Sequence, residues 1–170
     1  MAQALIIIDV QNDYFPDGKL PLWNTKTALD NIEKAILEAT RRNIPIILIQ
    51  QFTDPKVAPF FNKGTKGAEI HSRIMNAAPE AKIITKNYAD SFHETELDQV
   101  LKDYGARKLL VCGMMTQNCV THTAISKSAE KYEVLILSDC CTTVSSLIHN
   151  IALRAVSTRL ALATSEEVFG

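Results

Sequence analysis

The sequence predicts an α/β fold, in which a doubly wound, mainly parallel six-stranded sheet with strand order 3-2-1-4-5-6 carries helices on both faces. Two observations support this prediction. Short apolar runs alternate along the chain with segments whose apolar residues have helical spacing. Several apolar runs also end at a polar, reactive side chain, and doubly wound sheets bind their ligands beyond the carboxyl ends of the strands. Right-handed crossovers between parallel strands then give the doubly wound topology.

Six short apolar or β-rich runs are predicted to be the strands. Each has the length of a buried strand and is bounded by polar or turn-forming residues. The predicted strands are residues 5–10, 45–49, 82–85, 108–112, 134–137 and 159–163.

The segments between the runs predict the helices. Residues 25–42 are the clearest case, because their apolar side chains share one helix face: Ala28, Leu29, Ile32, Ala35, Ile36 and Ala39. Thr95 can cap a helix that stops at Gly105. Further helices are predicted over residues 69–75, 119–131 and 147–156. The irregular stretch 51–68 is predicted to be a lid or pocket wall, because long loops in compact domains are often functional.

Composition limits the class of protein. The length fits one domain, residues 1–170, and the formal net charge of −1 argues against nucleic acid as the main partner. No apolar stretch reaches membrane-spanning length, and the first residues lack a secretory leader, so we expect a cytoplasmic protein without a membrane partner. Four cysteines do not form a disulfide framework for a chain of this size, and the lack of a CxxC pair argues against a structural zinc site. Cys112 is interpreted as a packing residue, whereas Cys140 and Cys141 are ambiguous, with packing as the simplest role.

Three reactive residues lie just beyond predicted strands, and we expect them to meet in one cleft. Asp9 ends the first run, Lys86 follows the third and Cys119 follows the fourth. Taken singly, an aspartate there is as often a turn former, a lysine is usually solvated and a cysteine more often packs. Their joint placement at one edge of the predicted sheet favours a catalytic role for the three residues.

Each of the three has a chemical role in this hypothesis. Cys119 lies where the next helix should begin, so free N–H groups and the helix dipole are expected to favour its thiolate. Cys119 would attack a carbonyl carbon, and Asp9 would take the thiol proton and return it to the leaving amine. Lys86 would hold Asp9 in its ionised form, and N–H groups of residues 113–119 would bind the oxyanion.

With these residues identified, the chain resembles the isochorismatase-like cysteine hydrolases, which include nicotinamidase and N-carbamoylsarcosine amidohydrolase. The resemblance covers nearly the whole chain. Its first block is residues 7–15, and its second is Lys86 with Ser91-Phe92 and residues 95–97. Its third comprises residues 113–116, Cys119-Val120 and Asp139 after the fifth strand.

The resemblance implies a catalytic triad of Asp9, Lys86 and Cys119, and an oxyanion site formed by the backbone N–H groups of Met115 and Cys119. It also implies a cis peptide bond between Met114 and Met115. Relatives are commonly oligomers, so a homo-oligomer is expected, and no cofactor is implied.

A metal site is not expected. Nicotinamidases carry an Asp-x-His pair after the second strand, whereas this chain reads Gln50-Gln51-Phe52-Thr53-Asp54 there. Asp54 and His71 are kept only as an improbable pair of metal ligands. His71 is interpreted as a surface helix residue. Nicotinamide is correspondingly a doubtful substrate.

Substrate contacts are proposed for Gln11, Phe15, Trp23 and Phe60. For Trp23 and the Phe60-Phe61 pair, a subunit interface explains the residues equally well. Gln11 could orient a substrate or only satisfy the loop backbone.

These observations favour a cysteine-dependent hydrolase of a small amide or ureido compound, acting through a thioester. The retained alternative is a ligand-binding or redox-responsive module with a reactive Cys119. A plain flavodoxin-like binding domain fits less well, because residues 11–16 are not a glycine-rich phosphate loop.

Overall fold

Six parallel strands form one sheet in the order β3-β2-β1-β4-β5-β6 in a computed structural model that describes residues 2–170. This confirms the predicted fold class and strand order. The strands are β1 (Gln3–Ile8), β2 (Ile46–Gln51), β3 (Lys82–Lys86), β4 (Lys108–Met114), β5 (Glu133–Thr142) and β6 (Ala161–Ala163).

In the described part of the chain, five helices of very different length lie in the crossovers and a sixth follows β6. They are α1 (Thr25–Arg41), α2 (Ser72–Ala77), α3 (Leu97–Asp103), α4 (Thr121–Ala124), α5 (Ser146–Val156) and α6 (Ser165–Phe169). A π-helical turn, Thr116–Val120, leads directly into α4. The apolar face predicted for the first helix is the face that α1 buries against the sheet.

The central strand β1 is buried on both faces. Every residue from Ala4 to Ile8 is at most 1% exposed. A continuous apolar run of this kind is typical of a parallel strand covered by helices on both sides. Asp9 directly follows this buried strand, which places its carboxylate near the centre of the carboxyl edge of the sheet.

The prediction of one continuous helix over residues 119–131 is wrong. The structure instead has the π-helical turn, α4 and a separate 3-10 turn, Lys127–Ala129. Thr123 Oγ1 donates to Ser91 Oγ at 2.8 Å, and Ser126 Oγ donates to Asp90 Oδ2 at 2.7 Å. Ser126 Oγ also accepts from the N–H of Ser128 at 3.2 Å as the N-cap of the 3-10 turn, and a local bond of this kind competes with continuation of the helix.

The fifth strand runs further than predicted, to Thr142, so Asp139 lies inside β5 and not after it. Its register against β4 shifts, with Val111 opposite Ile136 and Gly113 opposite Cys141. Asp139 accepts hydrogen bonds from the backbone N–H and the hydroxyl of Ser165, at 2.7 and 2.6 Å. Asp139 therefore anchors α6, a helix that the sequence analysis did not predict.

Gly113 brings the end of β4 against β1. Its φ is +120°, and a Cβ at this position would lie 2.1 Å from the carbonyl oxygen of Ile8. This close approach requires a glycine. The end of β4 therefore lies directly beside Ile8, the last residue of β1. The turn that holds Cys119 follows from there, close to Asp9.

Within residues 2–170, no helix combines the length and the apolar character needed to cross a lipid bilayer.

Gly113→Ala should lower the free energy of unfolding by about 2 kcal/mol or more, because it adds both backbone strain and a clash with β1. Urea unfolding measures this loss. Gly64→Ala is the control, because Gly64 has a φ of +83° but no atom within 4 Å of the added Cβ. We expect about 1 kcal/mol for the control from conformation alone. Equal losses in the two variants would contradict the close approach of β4 to β1.

Candidate active site

Asp9, Lys86 and Cys119 meet at the carboxyl edge of the sheet. Asp9 directly follows β1, with a φ of +53°, Lys86 is the last residue of β3, and Cys119 lies in the π-helical turn after β4. Lys86 Nζ lies 2.9 Å from Asp9 Oδ2, and neither side chain is accessible to solvent. The long lysine side chain therefore spans the intervening strand β2 to reach Asp9.

The ammonium of Lys86 has three hydrogen-bond acceptors. It donates to Asp9 Oδ2, to the amide oxygen of Gln51 and to the carbonyl oxygen of Tyr88, the last at 3.0 Å. Three acceptors match the three protons of an ammonium. Burial alone would lower the pKa of Lys86, but the attraction of Asp9 and Cys119 outweighs burial and raises it. Lys86 is therefore a buried, permanently charged cation.

Asp9 is a stronger base than an ordinary aspartate. Burial raises its pKa, and the charge of Lys86 and the hydrogen bond from Lys86 oppose that rise only in part. The second carboxylate oxygen, Oδ1, is buried and has no hydrogen-bond partner among residues 2–170. Asp9 thus has one oxygen committed to Lys86 and one that is able to accept a proton.

Cys119 is a protonated thiol in this environment. It is 4% exposed, and burial raises its pKa, with the nearby charge of Asp9 adding to the rise and Lys86 opposing it. The expected lowering of its pKa by a helix N-terminus is wrong. Cys119 is the fourth residue of the five-residue π-helical turn, so it does not lie at the free N-terminus of a helix. The thiol needs a base, and Asp9 is the carboxylate beside it.

The peptide bond between Met114 and Met115 is cis, at the position that the family resemblance implies. The carbonyl oxygen of Met115 accepts hydrogen bonds from the N–H groups of Asn118 and Val120, at 3.0 and 3.3 Å. These hydrogen bonds form a tight turn between the end of β4 and Cys119. The oxyanion role of the Met115 and Cys119 N–H groups stays a prediction.

Gln11 satisfies the loop backbone, which was one of its two predicted roles, and its role in orienting a substrate stays a prediction. Its side chain is completely buried, its oxygen accepts from the N–H of Gln51 at 2.8 Å, and its nitrogen donates to the carbonyl oxygens of Gln51 and Ala68. Both polar atoms of the side chain are therefore used within the protein. Gln11 ties the end of β2 to the end of the 51–68 loop.

The aromatic candidates have different surroundings. Phe15 is half-buried, and its ring centroid lies 4.3 Å from that of His71. Phe60 is half-buried against Phe61, whereas Phe61 is completely buried, so a subunit interface is wrong for Phe61. Trp23 is 40% exposed and packs against His149. Phe15, Trp23 and Phe60 remain predictions as substrate contacts.

His71 is a capping residue and not a surface helix residue. It is half-buried, and its Nδ1 accepts from the N–H of Arg73 at 3.2 Å as the N-cap of α2. Asp54 is exposed and accepts from the N–H of Lys56. Among the residues that the structure describes, no group of three or more His, Cys, Asp or Glu side chains could hold a metal ion.

Two residues near the site were missed by sequence reasoning. Gln51 contacts Lys86 directly, although the sequence shows only a glutamine at the end of a strand. Asp13 is buried and accepts from the N–H groups of Phe61 and Lys19, at 2.7 and 3.2 Å, which fastens the 51–68 loop over the first loop. Gly67 makes room for this, because a Cβ there would lie 2.1 Å from Asp13 Oδ1. The sequence signal that could have identified Asp13 is its position within residues 7–15, the first block of the family resemblance.

Relatives with named activities are distant from this chain. A streptothricin hydrolase from Streptomyces noursei is 26% identical over 83% of this chain and 54% of its own. A ureidoacrylate amidohydrolase from Yersinia enterocolitica is 25% identical over 81% of this chain and 74% of its own. A protein named as a probable inactive nicotinamidase from Arabidopsis thaliana is 27% identical over 86% of this chain and 83% of its own.

More similar proteins and the family profile agree on the family. The protein YddQ of Bacillus subtilis is 35% identical over 85% of this chain and 80% of its own, and the secreted isochorismatase effector Isc1 of Verticillium dahliae is 33% identical over 80% and 70%. A crystal structure titled as an isochorismatase hydrolase from Oleispira antarctica superposes with a TM-score of 0.89, at 30% identity, over 99% of this chain and 96% of its own. The isochorismatase domain profile matches residues 3–168, so the chain belongs to the isochorismatase family.

Proposed function

We propose that the protein hydrolyses a carbon–nitrogen bond of a small amide or ureido compound through a thioester on Cys119. The observation that carries this proposal is the buried Asp9–Lys86 ion pair beside a protonated thiol. The hydrolase and amidohydrolase names of distant relatives support hydrolysis of this general kind. One relative is named as a probable inactive nicotinamidase, so the proposal rests on the residues of this chain and not on family membership.

The first half of the reaction forms the thioester. Asp9 takes the thiol proton through its free oxygen, and the Cys119 sulfur attacks the carbonyl carbon of the substrate. The carbonyl oxygen becomes an oxyanion, which the N–H groups of Met115 and Cys119 would bind. When the tetrahedral intermediate collapses, the protonated Asp9 gives its proton to the departing nitrogen, and ammonia or an amine leaves.

The second half consumes one water molecule. Asp9, ionised again, takes a proton from water as the oxygen attacks the thioester carbonyl. The carbon–sulfur bond breaks, the acid leaves and the proton returns to the sulfur. Lys86 keeps its charge throughout and offsets whichever of Asp9 or Cys119 is negative. The net reaction is amide plus water to acid plus amine.

A small-molecule substrate, without a nucleic-acid or membrane partner, is part of this proposal. Asp9, Lys86 and Cys119 are all nearly inaccessible, which favours a small substrate over a macromolecule. A homo-oligomer is proposed as well, because several large apolar side chains before α1, before α5 and within α5 are exposed: Trp23, Val144, Leu147 and Ile151. A cytoplasmic location stays a prediction, and one relative is named as a secreted effector.

The alternative is a redox-responsive or ligand-binding module that uses Cys119 as a reactive thiol. Redox sensors need a low thiol pKa and access to the oxidant. Burial and Asp9 raise the pKa of Cys119, which disfavours this role. Mass spectrometry distinguishes the two, because an amide substrate leaves an acyl adduct on Cys119, whereas a sensor shows only oxidation or disulfide adducts.

Cys119→Ala should lower hydrolysis by about 10⁴-fold or more, because no other group can form the thioester. Ammonia release from a panel of small amides and ureido compounds measures turnover, and circular dichroism checks the fold. Cys112→Ala is the matched control, because Cys112 is a completely buried thiol in β4 for which no catalytic role is proposed. Turnover that survives in Cys119→Ala, or is lost equally in Cys112→Ala, would contradict the mechanism.

Lys86→Met should lower the free energy of unfolding by about 3 kcal/mol, because it leaves the Asp9 carboxylate buried without its cation. It should also abolish most turnover. Lys82→Met, on the same strand, is the control. Lys82 pairs with Glu96 at the surface, where an ion pair contributes little, so stability and turnover should stay nearly unchanged. Chemical denaturation that gives similar losses for both variants would argue against the buried ion pair.

The acidic limb of kcat/KM should lie clearly above the ordinary aspartate pKa of about 3.9. Asp9 must be ionised to take the thiol proton, and burial raises its pKa, so activity should rise with pH through that raised value. A pH series of initial rates measures the limb, with circular dichroism at each pH to show that the protein stays folded. Full activity at pH 4 would contradict Asp9 as the base.

A further inference from the structure

Gln51 faces Lys86 across neighbouring strands. The two residues are direct partners in the register of β2 and β3, each at the last position of its strand. The Lys86 ammonium donates to the amide oxygen of Gln51. Because an ammonium only donates, the amide must present its oxygen to Lys86, and its nitrogen points to the carbonyl oxygen of Phe52.

Gln51 is the uncharged side chain among the three acceptors of Lys86. The other two are the carboxylate of Asp9 and the backbone carbonyl oxygen of Tyr88. A neutral acceptor satisfies one N–H without competing with Asp9 for the positive charge. A buried ammonium proton without an acceptor would be costly, and a second carboxylate would weaken the attraction between Lys86 and its working partners.

The amide of Gln51 is carried on a fixed piece of backbone. The side chain of Gln11 accepts from the N–H of Gln51 at 2.8 Å and donates to its carbonyl oxygen at 2.9 Å. Gln11 is itself completely buried and is also bonded to Ala68. Gln51 is thus held at both its backbone N–H and its backbone carbonyl oxygen.

We propose that Gln51 is a positioning residue that fixes the Lys86 ammonium beside Asp9 and Cys119, an inference that rests on the proposed thioester chemistry. Gln51 acts through Lys86 and does not touch the reacting atoms. Its neutrality lets the cation offset the negative charge as the proton moves from the thiol to Asp9.

Gln51→Glu tests this inference without a substrate. The added carboxylate partly neutralises Lys86, so the thiolate of Cys119 becomes harder to form. At one fixed pH, the rate of Cys119 alkylation by iodoacetamide, followed by peptide mass mapping, reports the thiolate fraction. We expect Gln51→Glu to slow this alkylation by about tenfold or more, because a nearby like charge usually raises a thiol pKa by about one unit or more.

Gln50→Glu is the matched control. It makes the same chemical change one residue earlier in β2, where the amide of Gln50 donates to the carbonyl oxygen of Ala68 and does not contact Lys86. Its alkylation rate at the same pH should stay close to that of the unsubstituted protein. Equal alkylation rates for Gln51→Glu and Gln50→Glu would overturn the role of Gln51.

Gln51→Met and Gln50→Met extend the test to turnover. Gln51→Met removes only the acceptor, so kcat should fall about tenfold with KM nearly unchanged, the pattern of an interaction that matters in the transition state. Gln50→Met should keep both parameters, and equal changes in the two variants would show a merely structural role. The alkylation measurement needs no substrate, so failure to find amide hydrolysis would overturn the proposed function separately.

Discussion

The buried ion pair between Asp9 and Lys86 is the interaction on which the site depends. Taking two charges out of water is expensive, and the attraction between them compensates only when the remaining polar atoms are satisfied. Lys86 meets this condition with three acceptors, two of which are uncharged. Asp9 meets it on one oxygen only. The imbalance leaves a buried carboxylate oxygen beside a thiol, which is what a proton acceptor requires.

The order of the strands explains why a lysine and a glutamine serve this ion pair. Parallel strands lie about 4.8 Å apart, and β3 is separated from β1 by β2, so a cation from β3 must cross about 10 Å to reach Asp9. A long side chain can cover that distance, and it passes the end of β2 on its way. Gln51 ends β2 in register with Lys86, so an acceptor lies where the ammonium arrives. On the other side, Gly113 lets β4 close onto β1 and carry the Cys119 turn to the same edge.

The fold could be predicted because its signals are local. The unbroken apolar run before Asp9 and the single apolar face of α1 each fix an element, and alternation of strands and helices restricts the topology. The errors come from contacts between distant residues. Thr123 and Ser126, which lie in the segment predicted as one helix, bond to residues more than thirty positions earlier. Gln11 likewise finds its partners at Gln51 and Ala68, and neither periodicity nor spacing contains that information.

The raised pKa of Cys119 also follows from such long-range contacts, and it is consistent with a thiolate nucleophile. At rest the three groups carry one negative charge on Asp9 and one positive charge on Lys86. Burial disfavours a thiolate, and a thiolate beside an ionised Asp9 would also place two negative charges on one buried cation, so both costs raise the pKa of the thiol. Transfer of the thiol proton to Asp9 instead moves the single negative charge from one neighbour of Lys86 to the other. The three groups therefore titrate as a unit, and the site can form the thiolate without changing its net charge.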